Sequence, residues 1–298
     1  MQRSVIVSFD MEPDTGSWTS DYHGMREGTP RILEILAARG IPASFMFTGR
    51  EALAFPGLVE QISAAGHEIG CHTMYHETLG DAVFSMPGDA LILDSEIPGR
   101  IALATETVTR VAGRRPRSFR APRLFGSSTL IQALADQGYI ADSSLPAYFV
   151  GRSFVPYRPA ADDWTAPGNL PLAEVPVFYD VEVTAGEEKQ RSRDQWPMLR
   201  LKGGKWFIDL CRRMDAYLCA QRLEAPLVLY LHPWEFVATP ETIQTDEARI
   251  TFKPFLHRNT GEFALQALDQ VIAALQDMGA RFETLEGYAE HWLSEHPV

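Results

Sequence analysis

The chain has 298 residues, of which 45% are hydrophobic and 22% are charged, and its formal net charge at pH 7 is −12. This composition is typical of a globular protein with a well-filled core. The acidity argues against nucleic acid or an anionic membrane as a partner, because both bind basic surfaces. Three cysteines do not make a disulfide framework. With no apolar leader before the acidic N-terminal stretch and no apolar run of about 18 residues, we expect a cytoplasmic protein without a transmembrane segment.

Predicted strands and helices alternate along most of the chain. Short apolar runs predict strands at residues 4–9, 43–48, 67–72, 118–120, 139–142, 226–231 and 281–285. Apolar residues at helical spacing predict helices at 29–40, 58–65, 102–111, 129–137, 206–218 and 263–278. Strands that alternate with helices at this spacing form parallel sheets. Because no internal repeat or linker is visible, we expect a single α/β domain over residues 1–298.

The periodicity is lost between residues 148 and 201. This segment contains several prolines, a strand-like sequence at 174–183 and a charged run at 186–194. We interpret it as an irregular insertion or long loop at one rim of the fold. The charged run is expected to be a solvated loop, with a lid over the substrate as the alternative.

Polar side chains follow the ends of several different predicted strands. In chain order these residues are Asp10, Glu12, His72, His76, Arg120, Asp142 and His232. In parallel α/β barrels the chemistry lies at the carboxyl ends of the strands, so we expect these side chains to share one face. If the chain turns helically after its strand, His72 and His76 lie on one side of that turn. Two imidazoles and a carboxylate are the ligands of a hydrolytic zinc or cobalt site.

Four segments resemble the motifs of the polysaccharide deacetylase family (carbohydrate esterase family 4). They are SFDMEPD at 8–14, GHEIGCHTMYH at 66–76, FRAPRLF at 119–125 and YLHPWE at 230–235. The resemblance runs from about residue 4 to residue 285 and implies a distorted, incomplete (β/α) barrel with an irregular insertion. The chain departs from the family in one place. Many members have two adjacent aspartates, whereas here Met11 separates Asp10 from Glu12.

The resemblance implies a metal-dependent hydrolase that removes an N-acyl group, with acetyl expected first, from an amino sugar or another carbohydrate. In this reading Asp10 is the catalytic base, Arg120 orients it, and His232 is the general acid that protonates the leaving amine. The partner is then a small-molecule or oligosaccharide substrate that carries an N-acyl group.

The resemblance also implies one divalent metal ion, with zinc expected and cobalt or nickel as alternatives. Its ligands would be Glu12, His72 and His76. The residues assigned to substrate binding are Pro122, Arg123 and Trp234.

Several alternatives remain open from the sequence. Asp14 could replace Glu12 as the acidic ligand, and a metal-free variant is conceivable. The substrate could be non-polymeric, as for an allantoinase-like or deformylase-type amidase. A carbohydrate-binding relative that has lost turnover is a further possibility, because the first motif is altered. The sequence names neither the sugar nor the oligomeric state.

Overall fold

The computed structural model describes residues 3–17, 19–83, 92–182, 195–244 and 249–297. The charged run at 186–194, expected to be a solvated loop, lies outside the described residues. Within the described ranges, no helix is long and apolar enough to cross a membrane.

Among the described residues, eight strands form one parallel sheet, and a further pair forms a separate antiparallel hairpin. The strands are β1 (Ser4–Met11), β2 (Ser44–Phe47), β3 (Glu68–Cys71), β4 (Ser118–Phe119), β5 (Ala141–Asp142), β6 (Ala173–Glu174), β7 (Leu227–Leu231), β8 (Thr242–Gln244), β9 (Arg249–Thr251) and β10 (Arg281–Phe282). Strands β1 to β6 pair in chain order, while β7 and β10 both pair with β1. The pairing of β7 with β1 brings the late strand beside the first one, as the barrel interpretation requires.

The sheet curls towards a barrel but does not close between β6 and β7, where the described residues form no strand pairing. The side chain of Gln195 occupies part of this gap. Its amide nitrogen donates to the carbonyl oxygens of Val228 (2.5 Å) and Phe178 (3.2 Å), and its amide oxygen accepts from the backbone N–H of Tyr230 at 3.0 Å. A side-chain amide thus satisfies backbone groups of β7 that a neighbouring strand would otherwise pair. The predicted distorted, incomplete (β/α) barrel is confirmed.

Helices cover the outside of the sheet and close one end of it. They are α1 (Asp14–Ser17), α2 (Thr29–Arg39), α3 (Gly49–Ala54), α4 (Pro56–Ala64), α5 (Ile97–Ala112), α6 (Ser128–Asp136), α7 (Met198–Lys202), α8 (Gly204–Gln221), α9 (Pro254–His257), α10 (Glu262–Asp277) and α11 (Leu285–Glu295). The predicted end of α2 is also found, because Gly40 follows the helix in a left-handed conformation with a φ of 63°.

The hydrophobic core has two parts because β1 is buried on both faces. Val5, Val7 and Phe9 belong to a large cluster that includes the apolar faces of the helices. Ile6 belongs to a second cluster, which contains apolar residues of other strands and three residues of α11. This alternation follows from the two-residue period of a strand. Helix α11, for which no prediction was made, packs against this second cluster.

The strand-like sequence at 174–183, within the segment interpreted as an irregular insertion or long loop, forms little regular structure. Only Ala173–Glu174 forms a strand, and the chain continues without regular structure through the described residues up to 182. Pro176 gives a physical reason, because proline has no N–H to donate to a sheet. The structure also adds α3, α7 and the β8–β9 hairpin, for which no prediction was made.

Candidate active site

Two carboxylates at the end of β1 face the same side of the strand. Asp10 lies within β1, and Glu12 directly follows its last residue, Met11. Side chains two residues apart share one face of a strand, while the residue between them points away. Met11 accordingly belongs to the large hydrophobic cluster that includes the apolar faces of the helices. Asp10 and Glu12 instead both approach the Nε2 atom of His72, at 3.6 and 3.9 Å. An acid-x-acid spacing is therefore suited to a regular strand.

The two histidines of the second motif follow β3 in an extended, turning segment rather than in a helix. The chain does not turn helically between them, because Thr73 and His76 have left-handed φ values of 65° and 59°. The Nδ1 atom of His72 lies 2.6 Å from the carbonyl oxygen of Arg120. A carbonyl can only accept a hydrogen bond, so Nδ1 carries the proton and the lone pair of Nε2 points into the site.

Glu12, His72 and His76 form a compact buried cluster. One ligand atom from each of the three lies within 4.8 Å of the others, and His76 Nε2 contacts Glu12 Oε2 directly. Burial alone would raise the pKa of Glu12, but the imidazoles of His76 and His232 hold it well below its usual range. His72 Nε2 is buried without a hydrogen-bond partner. An orphaned imidazole nitrogen, a second imidazole and an ionised carboxylate are a donor set that suits a divalent ion.

Asp14, the alternative acidic ligand, is engaged elsewhere. One of its carboxylate oxygens accepts the backbone N–H of His23 at 2.8 Å, and the other accepts that of Gly24 at 3.0 Å. Both oxygens thus hold the loop that follows β1. The cluster of potential metal ligands in the described residues contains Glu12 and not Asp14.

Arg120 holds one oxygen of Asp10 and leaves the other without a partner. Its Nη1 atom donates to Asp10 Oδ1 and to the hydroxyl of Ser8, both at 2.9 Å. Its Nε and Nη2 atoms donate to the carbonyl and hydroxyl oxygens of Ser143 at 3.1 and 3.0 Å. The remaining oxygen, Asp10 Oδ2, is buried without a hydrogen-bond partner and is the atom that faces His72.

His232 directly follows β7. It approaches Oε1 of Glu12, whereas His76 contacts Oε2 of the same carboxylate. Its Nε2 atom lies 3.8 Å from Glu12 Oε1 and 3.2 Å from the hydroxyl of Tyr230. Its Nδ1 atom lies 3.1 Å from Glu235 Oε1. Burial by itself lowers the pKa of His232, but the charges of Glu12 and Glu235 outweigh it and raise the pKa above its usual value.

Glu235 and Arg200 are residues that the sequence reasoning missed. Glu235 Oε2 accepts from Arg200 Nε at 2.7 Å, and Oε1 also accepts from the indole N–H of Trp196 at 3.1 Å. Glu235 thus fixes the orientation of His232 and is itself held by Arg200 in α7 and by Trp196 just before that helix. An acid three residues after a histidine was visible in the sequence, whereas nothing there indicated the contact with Arg200.

Trp234 does not occupy the position expected of a substrate-stacking residue. Its side chain is 1% exposed, so no ring face is open to a sugar. Its indole N–H donates to Glu12 Oε1 at 3.2 Å, and its ring stacks on His232 with the centroids 5.5 Å apart. Trp234 therefore supports the site from behind.

Pro122 and Arg123, also assigned to the substrate, form a tight turn after β4. Pro122 is buried, while Arg123 is partly exposed and has a left-handed φ of 60°. The Nη1 atom of Arg123 donates to the hydroxyl of Thr78 at 3.0 Å. Arg123 therefore lies at the rim of the loop that carries His76.

Asp142 is at a strand end, as expected, but it belongs to a different group. It accepts a hydrogen bond from Ser144 at 2.5 Å and forms a buried carboxyl pair with Glu174. Burial raises the pKa of Asp142 to about 6. Burial, together with the charge of Asp142, raises the pKa of Glu174 well above its usual range. A pair of this kind keeps a proton at neutral pH.

Comparisons with known proteins agree with the motifs. Residues 1–141 match the family model described as polysaccharide deacetylase. The peptidoglycan-N-acetylglucosamine deacetylase of Bacillus cereus is 31% identical over 118 residues, which cover 40% of this chain and 35% of that enzyme. The chain is thus similar to the polysaccharide deacetylase family over residues 1–141, a little under half of its length.

Solved structures show the same fold. A polysaccharide deacetylase homologue from Mycobacterium smegmatis superposes with a TM-score of 0.65 at 22% identity, over 99% of this chain and 91% of its own. Puue allantoinase superposes with the same TM-score at 17% identity, over 99% of this chain and 91% of its own. The chain spans only about a third of the Bacillus cereus enzyme. The two superposed structures are 22% and 17% identical to the chain, so they show its fold and not its reaction.

Proposed function

We propose that the protein is a metal-dependent hydrolase that removes an N-acyl group, with acetyl expected first, from an amino sugar or other carbohydrate. One observation carries the proposal. The Glu12–His72–His76 cluster lies between Asp10, which approaches His72 at 3.6 Å, and His232, which approaches Glu12 at 3.8 Å. A carboxylate on one side and an imidazole on the other are the two groups that amide hydrolysis needs.

The cluster supports an assignment of one divalent ion to Glu12, His72 and His76, with zinc expected and cobalt or nickel as alternatives. When bound, such an ion polarises an acyl oxygen and lowers the pKa of water. The proton on His72 Nδ1 supports this assignment, because it leaves the lone pair of Nε2 available to bind the ion.

Asp10 and His232 would divide the proton transfers between them. Asp10 Oδ2 accepts a proton from the attacking water, while Arg120 holds Oδ1 in place through a hydrogen bond of 2.9 Å. His232 Nε2 donates a proton to the leaving amine, and Glu235 holds the opposite ring nitrogen so that Nε2 faces Glu12. An amine leaves poorly unless it is protonated, so the acid matters more for amides than for activated esters.

The fold does not distinguish a sugar deacetylase from an allantoinase-like or deformylase-type amidase, and the two histidines favour the deacetylase. The Bacillus cereus relative is named for peptidoglycan N-acetylglucosamine, and an acetylated sugar of that kind is the substrate we propose to test first. The cytoplasmic location expected from the sequence stays a prediction, to be tested by fractionation of the native host.

Metal analysis of the purified protein followed by an acetate-release screen over N-acetylated sugars tests the function. We expect about one ion per chain and release of acetate but not of formate, with no turnover of allantoin. His72→Ala and His76→Ala should each lose most of the metal while remaining folded. His67→Ala is the matched control, because His67 packs against Phe45 away from the cluster and should keep the metal. Full metal retention in the His72/His76 double variant would refute the assignment.

A further inference from the structure

The guanidinium of Arg123 carries a positive charge beside the cluster that we propose binds a metal cation. Its Nη1 atom donates to Thr78, two residues beyond His76. A cation held so near the proposed ligand His76 opposes the binding of a metal ion, so its position needs a reason.

Carboxylates neutralise the other two arginines of the site, but not this one. Arg120 pairs with Asp10 at 2.9 Å, and Arg200 pairs with Glu235 at 2.7 Å. Within the described ranges, the contact of the Arg123 guanidinium is the neutral hydroxyl of Thr78, and no carboxylate lies within ion-pair distance. This is unexpected in a chain with 39 acidic and 27 basic residues.

The backbone fixes where this side chain begins. Arg123 and Leu124 both have a φ of 60°, a conformation that is unfavourable for residues with a Cβ atom. The turn is held by backbone hydrogen bonds from Leu124 to Ala121 at 3.0 Å and from Phe125 to Pro122 at 3.1 Å. A loop free to relax would not retain two such residues in succession. The turn therefore holds the guanidinium at the rim in a defined place.

We propose that Arg123 selects N-acylated substrates that carry an anionic group, a carboxylate or a phosphate, close to the scissile amide. This inference rests on the proposed function and deepens it. Thr78 engages one of the five N–H groups of the guanidinium. The others can make the paired hydrogen bonds that arginine forms with planar or tetrahedral anions. The anion would supply the negative charge that the protein itself does not place beside Arg123.

The test compares anionic and neutral forms of one sugar. N-acetylmuramic acid and its methyl ester differ only in the carboxylate, and N-acetylglucosamine 1-phosphate and N-acetylglucosamine differ only in the phosphate. For one of these pairs we expect kcat/KM to favour the anionic member by about 10- to 100-fold, the range typical of hydrogen bonds to charged groups. The pair that shows the preference identifies the anion as carboxylate or phosphate.

Substitution of Arg123 should abolish the preference. Arg123→Met should bring the anionic-to-neutral ratio to about one, and Arg123→Lys should leave an intermediate ratio, because lysine keeps the charge but not the paired donors. Arg212→Met is the matched control for a lost positive charge, since Arg212 pairs with Asp209 on the outer helix α8. Its ratio should equal that of the wild type. Unfolding temperatures confirm that each variant is folded.

Binding of the same four sugars by calorimetry gives a readout that does not need turnover. An anionic preference in binding that Arg123→Met removes supports the inference. Equal kcat/KM and equal binding within both pairs overturn it, while acetate release from the neutral sugars would leave the proposed function intact. If no N-acetylated sugar releases acetate, the proposed function fails, and the binding comparison still decides the role of Arg123.

Discussion

The buried pair of Asp142 and Glu174 makes a quantitative prediction about stability and pH. Both folded-state pKa values are raised, mainly by burial, that of Asp142 to about 6. A carboxyl group whose pKa is raised on folding contributes stability that is complete below its unfolded pKa and is lost as the pH rises through its folded pKa. While only the folded state keeps the proton, the free energy of unfolding falls by about 1.4 kcal/mol per pH unit for each such group.

Glu174→Gln removes the contribution of Glu174 and leaves that of Asp142. The glutamine keeps an oxygen that can accept the N–H of Leu145, as Glu174 does at 2.8 Å, and its amide can donate to Asp142. Above pH 6, where Asp142 is ionised in both states, the wild type should go on losing stability through Glu174. While the folded wild type keeps the proton of Glu174, the stability difference in favour of the variant should therefore grow by about 1.4 kcal/mol per pH unit.

Urea unfolding followed by tryptophan fluorescence at pH 5.5, 6.5 and 7.5 measures this difference directly. Titrating groups away from the pair are common to both proteins and cancel in the comparison. Glu106→Gln, an exposed position on α5, is the control and should give a curve parallel to that of the wild type. Parallel curves for Glu174→Gln as well would mean that Glu174 is ionised in the folded protein, and would refute the argument.

Three further variants test the site and the gap between β6 and β7. Asp10→Asn should keep the metal and lose activity by about 10²-fold or more, the usual scale for a general base; normal turnover would place the base elsewhere. His232→Ala should cripple amide hydrolysis but reduce the turnover of a nitrophenyl acetate much less, and its pH profile on amides should lack the alkaline limb of the wild type. Equal losses on both substrates, with loss of metal, would make His232 a ligand or a structural residue. Gln195→Ala should destabilise the fold by about 1–3 kcal/mol in urea unfolding, because it leaves buried backbone groups of β7 without partners; an unchanged midpoint would mean that water replaces the amide.

The long elements were predictable because their signals are local. The apolar run of β1 and the helical stripes of α2 and α10 each specify one element within a single stretch of sequence. Strand β6, for which no strand was predicted, has only two residues, too few for any period to show. Such strands exist because their neighbours in the sheet offer pairing, which is tertiary information.

The site could be predicted to the extent that it lies at strand ends. Parallel strands bring their carboxyl ends together, so the chemistry of Asp10, His72 and His232 could be inferred from position alone. The residues that hold these side chains in place could not be inferred in this way. Arg200 reaches Glu235 from the segment whose periodicity is lost, and the burial of Trp234 depends on contacts made far along the chain. Sequence patterns find residues that carry chemistry more readily than those that hold them.

The gap between β6 and β7 has a consequence for how substrate range can change in this protein. Gln195 pairs with the edge of β7, while Trp196 and Arg200, within the next five positions, hold the carboxylate that orients His232. The last part of the long irregular segment is therefore tied to the strand and to the acid at once. Substitutions of side chains earlier in that segment should leave these contacts of Trp196 and Arg200 in place, whereas a change of length between Gln195 and Arg200 would affect both the pairing with β7 and the proposed acid. New specificities should accordingly arise from the first part of the segment.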